Sequence, residues 1–250
     1  MSDLPLILVH GSFGEAADWD ALKPLFARRD VRPVELPAHG ARYRDSARSF
    51  TEVALELATQ LPARADLVGY SLGGRVALAA ALRAPERVRS VVLESASAGL
   101  DPAERVTRRR RDEADAARLV EDPEGFLDAF WSAPLFDSFR AWPGFQAERA
   151  RGVERARRAP ARLAATYSAL SPGRMPDLRP ALAELGVPLL FVAGALDTKY
   201  TAIGAECVAL APNAELAVIA DAGHNVHLEQ PAAFALRLRA FWQALETRGA

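Results

Sequence analysis

The stretch Asp66-Leu67-Val68-Gly69-Tyr70-Ser71-Leu72-Gly73-Gly74-Arg75 governs how the rest of the chain is read. Asp66 to Tyr70 is a short apolar run that predicts a strand, and Leu72 to Arg83 has the Ala/Leu content and periodicity of a helix. Between them lies Gly69-Tyr70-Ser71-Leu72-Gly73, a Gly-x-Ser-x-Gly pentapeptide. Its glycines permit a strand-to-helix turn too tight for larger side chains. Such a turn lifts the Ser71 hydroxyl above the sheet edge, with a helix N-terminus behind it. A small-residue turn alone is common; placed between strand and helix, it marks Ser71 as a candidate nucleophile or base.

Outward from this turn the pattern repeats. Short apolar runs at Leu4 to Val9, Arg32 to Leu36, Ser90 to Glu94, Pro188 to Ala193 and Glu215 to Ala220 predict further strands. Helices are expected at Asp18 to Arg28, Phe50 to Leu61, Ala202 to Leu210 and Pro231 to Leu245. Alternation of this kind predicts an α/β fold, a mostly parallel sheet with helices on both faces. Residues 100–180 break it, reading as several helices punctuated by prolines from Pro102 to Pro176. We expect a helical cap inserted between the fourth and fifth strands, over a core formed by residues 1–99 and 181–250.

A serine that acts in catalysis needs an imidazole, and the imidazole needs a carboxylate to fix its tautomer. Asp197 follows the fifth strand in Gly194-Ala195-Leu196-Asp197, and His224 follows the sixth in Ala222-Gly223-His224-Asn225. As ordinary structural residues these would be a helix cap and a turn histidine. Glu94, ending the fourth strand, is a rival acid that ranks below Asp197. An oxyanion hole needs two backbone N–H groups: Leu72 follows the serine, and Ser12, in His10-Gly11-Ser12, opens the loop after the first strand. His10 and His39 read as structural loop residues, and His227 at most as a supporting one.

Composition narrows the function classes. The 250 residues carry 31 Lys plus Arg against 32 Asp plus Glu, with half the residues apolar. These values suit one large globular domain and disfavour a disulfide mini-protein, a disordered chain or a free-standing cationic nucleic-acid binder. Cys207 is the only cysteine, so no internal disulfide or thiolate-rich metal site is expected. The four scattered histidines likewise suggest no metal. Leu6 to Val9 behind Asp3 lacks the basic flank and length of a signal peptide, and no apolar run is long enough for a membrane. A cytoplasmic enzyme without membrane insertion or nucleic-acid partner is expected. Only Lys23 and Lys199 are lysines, and 15 of the arginines fall in residues 101–180 alongside 13 acidic residues. Most of these arginines fit a solvated helix face.

The residues quoted so far resemble the α/β-hydrolase superfamily, in which serine, acid and histidine follow in this chain order. Within it the chain is similar to the 2-succinyl-6-hydroxy-2,4-cyclohexadiene-1-carboxylate synthase family of menaquinone biosynthesis. That narrower likeness rests on Gly69 to Ala77, on Glu94 to Leu100, on the Arg108 to Asp112 run, on Pro134-Leu135-Phe136, on Asp197-Thr198-Lys199 and on Ala222 to Asn225. The resemblance implies a lyase that eliminates pyruvate from a small substrate bearing three carboxylates, without metal or organic cofactor. It carries substrate-binding roles to Tyr70, Arg75, Arg108 and Arg155, with Arg110, Arg157 or Arg158 as alternates in the cap. Phe130-Trp131 stand where the family has a Trp-Tyr pair, and would form the aromatic wall. Ser95 to Ala98 replace the family's glycines and proline, and Ala38 stands where a glycine is usual. The competing expectation in the same fold is a hydrolase of esters or carbon–carbon bonds. A non-catalytic binding protein is a third, which an intact triad disfavours.

Overall fold

The computed structural model describes residues 4–248; Asp3, cited above for its charge, lies outside them. Six strands form one sheet: β1 (Leu6–Val9), β2 (Val31–Val34), β3 (Ala65–Tyr70), β4 (Val88–Glu94), β5 (Leu189–Gly194) and β6 (Ala214–Ile219). They lie in the order β2-β1-β3-β4-β5-β6, and every neighbouring pair is parallel. The apolar strands are buried on both faces because successive side chains point to opposite sides. Val9, Leu67, Val91 and Phe191 meet α1 (Phe50–Gln60) and α2 (Leu72–Arg83) on one face. Leu8, Val68, Val92 and Leu190 meet Trp19, Phe26 and the C-terminal helix on the other. Asp66, the one charge in β3, is buried at the opposite end from Ser71, where it accepts hydrogen bonds from Arg29 at 2.5 Å, Arg89 at 2.8 Å and Ser90 at 2.5 Å.

The helix expected over Asp18 to Arg28 is instead two 3-10 turns, Ala16–Trp19 and Lys23–Phe26. Pro24 lacks the N–H that a continuous helix would use. The apolar spacing is still satisfied, since Trp19, Leu22 and Phe26 are all buried.

Between β4 and β5 run α3 (Pro102–Glu121), α4 (Pro123–Trp131), α5 (Asp137–Ala141), α6 (Phe145–Arg158) and α7 (Pro160–Ala169). Pro102, Pro123 and Pro160 each open a helix, a position where the missing N–H costs nothing. Leu119, Phe126, Leu127, Phe139 and Leu163 give these helices a core of their own, closed below by Phe13 and Ala38 from loops at the carboxyl end of the sheet. The chain returns through α8 (Arg179–Leu182) to β5, then continues through α9 (Thr198–Leu210), α10 (Val226–Glu229) and α11 (Pro231–Arg248). Helix α9 starts four residues before the expected Ala202, because Asp197 caps it by accepting the Tyr200 N–H at 3.0 Å. Among the described residues no helix is long and apolar enough to cross a membrane.

Candidate active site

Ser71 sits at φ 49° and ψ −108°, between β3 and α2. A non-glycine residue there stores about 1–3 kcal/mol of backbone strain, which the surrounding packing must hold. The two glycines of the pentapeptide make the turn possible. A Cβ on Gly69 would run into the Gly73 carbonyl, and one on Gly73 into the Val9 carbonyl. The Ser71 N–H is tied to the Glu94 carbonyl at 2.8 Å, fixing the turn against the end of β4.

Asp197, His224 and Ser71 come together from three separate strand ends. The His224 Nδ1 lies 2.8 Å from Asp197 Oδ2, and its Nε2 lies 3.4 Å from the Ser71 hydroxyl. Asp197 and His224 are buried. Asp197 uses its two oxygens separately, Oδ1 capping α9 and Oδ2 facing the imidazole. With Nδ1–H donated to Asp197, the Nε2 lone pair is left for the serine proton. Glu94 does not approach His224; its Oε1 accepts from the His227 backbone N–H at 3.0 Å and from His227 Nδ1 at 2.8 Å.

Beside the serine, the loop after β1 is pinned by two histidines. The Phe13 N–H donates to His39 Nε2 at 3.2 Å, and His39 Nδ1–H donates to the Pro37 carbonyl at 2.8 Å. Burial, reinforced by the nearby His10, pushes the His39 pKa down to about 3, so the ring is neutral and can accept. His10 accepts the Leu36 N–H at 3.1 Å and contacts the Gly11 carbonyl at 2.8 Å. With Phe13 engaged, the Ser12 N–H has no acceptor among the described residues. Leu72 is the first residue of α2, so its N–H also lacks an intrahelical acceptor. These are the two amides expected to form an oxyanion hole.

A cavity of about 270 Å³ lies over these groups, with Ser12, Tyr70, Ser71 and His224 in its floor. Arg75, Arg108, Arg111 and Lys199 bring four cationic side chains to its wall, while Phe130 and Trp131 supply aromatic surface. Arg75 is only 7% exposed, yet no carboxylate pairs with it among the described residues. Its Nη1 donates to the Leu170 carbonyl at 2.8 Å. Burial, then repulsion from Arg108, brings its pKa down to about 10. Arg108 keeps a local partner, with its Nε 2.8 Å from Asp112 Oδ1. Tyr167 donates to the same Asp112 oxygen at 3.3 Å, and burial raises the pKa of its phenol and that of Tyr200, so both remain neutral donors in the cavity.

Arg155 requires a correction. It is absent from the cavity wall and stands 8% exposed among three carboxylates: Glu15 at 3.1 Å, Asp18 at 2.9 Å and Glu148 at 2.9 Å. A guanidinium so occupied has no free face for substrate. The alternates Arg110, Arg157 and Arg158 are exposed on the outside of the cap. Arg111, one helical turn after Arg108 on α3, also borders the cavity, but at its outer edge: its side chain is 72% exposed and its Nε lies 3.6 Å from Asp115 Oδ2. Sequence reasoning missed Arg111, Lys199, Tyr167 and Tyr200. Lys199 had a signal, its position two residues after Asp197; Tyr167 had none. Among the described residues no three His, Cys, Asp or Glu side chains cluster as a metal site would require.

Residues 6–237 match the alpha/beta hydrolase family. Over 244 residues the chain is 33% identical to the 2-succinyl-6-hydroxy-2,4-cyclohexadiene-1-carboxylate synthase of Pectobacterium atrosepticum, covering 94% of this chain and 92% of that one. Against the synthase of the same name from Escherichia coli it is 34% identical over 233 residues, 91% of this chain and 89% of the relative. The structure of MenH from S. aureus superposes with a TM-score of 0.90 at 28% identity, covering 98% and 96% of the two chains. Sheet order, serine turn and family match agree, and the chain belongs to the alpha/beta hydrolase family.

Proposed function

We propose that this chain is a lyase that eliminates pyruvate from 2-succinyl-5-enolpyruvyl-6-hydroxy-3-cyclohexene-1-carboxylate, giving 2-succinyl-6-hydroxy-2,4-cyclohexadiene-1-carboxylate. The names of its synthase relatives support this reading. The observation that carries it is Arg75, a buried guanidinium with no carboxylate partner among the described residues, facing the same cavity as Ser71. A buried charge is costly unless something pairs with it, and a substrate carboxylate is the missing partner. Arg108, Arg111 and Lys199 serve the other carboxylates of a tricarboxylate. A cavity selected for neutral esters has no need of four cations.

In this reading Ser71, polarised by His224 and Asp197, takes the proton α to the succinyl carbonyl. The enolate oxygen is held by the Ser12 and Leu72 amides, and the electron pair moves through the ring to expel the enolpyruvyl group. The departing enolate gains a proton to become pyruvate, and His224 returns to its neutral form. Phe130 and Trp131 pack against the ring, and the Tyr70 ring supports the histidine face with its centroid 5.4 Å from that of His224. No covalent ester, metal or organic cofactor enters these steps. The same reading places the enzyme in the cytoplasm, where a buried free thiol such as Cys207 persists.

The test is to mix purified protein with the enolpyruvyl substrate and follow pyruvate release. Release that depends on both Ser71 and Arg75 supports the lyase. Efficient cleavage of small neutral esters, with no pyruvate from the tricarboxylate, would make the chain a hydrolase.

A further inference from the structure

The loop that carries His224 has a second carboxylate built around it. Glu229, at the end of α10, folds its side chain back so that Oε2 accepts the Gly223 N–H at 3.0 Å and Oε1 accepts the Asn225 N–H at 3.1 Å. The two amides are those immediately before and after His224. The Glu229 N–H in turn donates to the Asn225 carbonyl at 2.9 Å, closing a ring of three hydrogen bonds around the histidine.

The rest of the loop is anchored on either side of this ring. Upstream, the Leu196 N–H donates to the Ala222 carbonyl at 2.9 Å, tying the loop to the turn that bears Asp197. Downstream, His227 is fixed to Glu94 at the end of β4 through both its backbone N–H and Nδ1. Its ring lies between Trp19 and Tyr70, with centroids 4.3 and 4.9 Å away. Residues 223–225 span these anchors without any sheet partner. Gly223, His224 and Asn225 are buried, so their backbone groups cannot turn to water instead.

We propose that Glu229 is a positioning residue for the triad, holding the backbone on both sides of His224 so that its imidazole bridges Asp197 and Ser71. The inference rests on the triad portion of the proposed function and not on the identity of the substrate. A carboxylate suits the task because it presents two acceptor oxygens to two N–H groups at once, and a charged acceptor binds an N–H more strongly than a neutral one. Alanine supplies neither acceptor. Glutamine supplies one oxygen and confronts the other amide with a second donor. The His224 Nε2 to Ser71 distance is already 3.4 Å, so a small further displacement removes the hydrogen bond altogether.

The test compares Glu229→Ala and Glu229→Gln with the unaltered protein by two measurements. One is the rate at which a fluorophosphonate probe labels Ser71. In that reaction a Ser71 Oγ–P bond forms, fluoride leaves, and His224 takes the serine proton. The other is steady-state pyruvate release from the enolpyruvyl substrate. A displacement of about 1 Å costs on the order of 100-fold in rate. Labelling and kcat should therefore fall together by tenfold or more in Glu229→Ala and by a smaller factor in Glu229→Gln, with KM within about twofold and Tm lowered by several degrees in Glu229→Ala, where two buried N–H groups lose their acceptor, and by less in Glu229→Gln. Labelling at the unaltered rate in either folded variant overturns the proposal. So does a rise in KM at constant kcat, which would place Glu229 at the substrate instead. If Glu229→Ala fails to fold, Glu229→Gln decides alone. Should the unaltered protein release no pyruvate while labelling still falls in the variants, the lyase assignment fails and the positioning role stands.

Discussion

Replacing Arg75 with methionine should separate a cation kept for substrate from one kept for the fold. Met has a similar length and packs well in irregular apolar surroundings. The Arg75 pKa lies near 10 against an ordinary 12.5, because burial and Arg108 both disfavour the charged form. Below pH 10 the side chain remains protonated and the folded state carries the full penalty, on the order of 3 kcal/mol at about 1.4 kcal/mol per unit. Against this stands the hydrogen bond to the Leu170 carbonyl. Orphaning that carbonyl costs about 1–3 kcal/mol. The two terms leave Arg75→Met between neutral and about 2 kcal/mol more stable than the unaltered protein. For a chain of this size each kcal/mol shifts Tm by roughly 2–4 °C. The unliganded variant should therefore melt at the same temperature or several degrees higher in differential scanning calorimetry at pH 7.5. Losing the charged contact to substrate costs about 2–5 kcal/mol, which lowers kcat/KM for pyruvate release by more than tenfold. Turnover of a small neutral ester, if the site cleaves one, should barely change. A fall in Tm of several degrees with pyruvate release intact would show that Arg75 serves the fold, and the assignment would lose its main physical support.

Three further outcomes follow from the site. Ser71→Ala should remove both pyruvate release and ester cleavage, because both chemistries use the same oxygen, and since alanine keeps the Cβ and the 49° φ, Tm should change little; activity retained at more than a few per cent would exclude Ser71 as the reacting group. Arg155→Leu leaves Glu15, Asp18 and Glu148 without their shared cation and should cost about 3–5 kcal/mol in chemical denaturation at pH 7.5. Burial already raises the Asp18 pKa, and a carboxylate with a raised folded pKa gains stability as pH falls, so the loss should shrink toward pH 5; a loss that grows instead contradicts the buried cluster. His39, whose folded pKa of about 3 lies below its ordinary 6.5, contributes stability above pH 6.5 that drains at about 1.4 kcal/mol per unit as pH falls toward 3; His39→Gln should flatten that part of the stability profile, and an unchanged slope would assign it to other groups.

The centre of the sheet was legible in the sequence because a parallel strand buried on both faces must be largely apolar, as β1, β3, β4 and β5 are; the edge strands β2 and β6 are only partly buried and carry Arg32 and Glu215. The serine turn was legible because its steric demand falls on two named glycines, Gly69 and Gly73. What the sequence left open was which arginine faces inward. Arg108, Arg111 and Arg155 all lie on amphipathic cap helices, and nothing local distinguishes a guanidinium facing the cavity from one facing Glu148. The deciding partners of Arg155 are Glu15 and Asp18, about 140 positions away in the chain, and Asp18 sits where a continuous helix was expected. Tyr167 was hidden for the same reason: its partner Asp112 lies on a different helix of the cap.

The placement of Arg155 also explains how the cap can be both attached and selective. Arg155 belongs to α6, while Glu15 and Asp18 belong to the core segment after β1, so this buried cluster joins the two layers on one side of the cavity. Asp18 and Glu148 reach the cavity wall themselves, whereas Arg75, Arg108, Arg111 and Lys199 occupy other parts of it. An anion entering the cavity meets carboxylates on the first side and unpaired or half-paired cations elsewhere. The carboxylates on the first side are already paired with Arg155, so the contrast between the sides comes chiefly from Arg75, which has no carboxylate partner among the described residues. Under the proposed function, a tricarboxylate would turn its charges toward Arg75 and Arg108. In that reading the acidic residues that hold the cap down through Arg155 also leave their side of the cavity without a free cation for the substrate, which would disfavour the reverse orientation over Ser71.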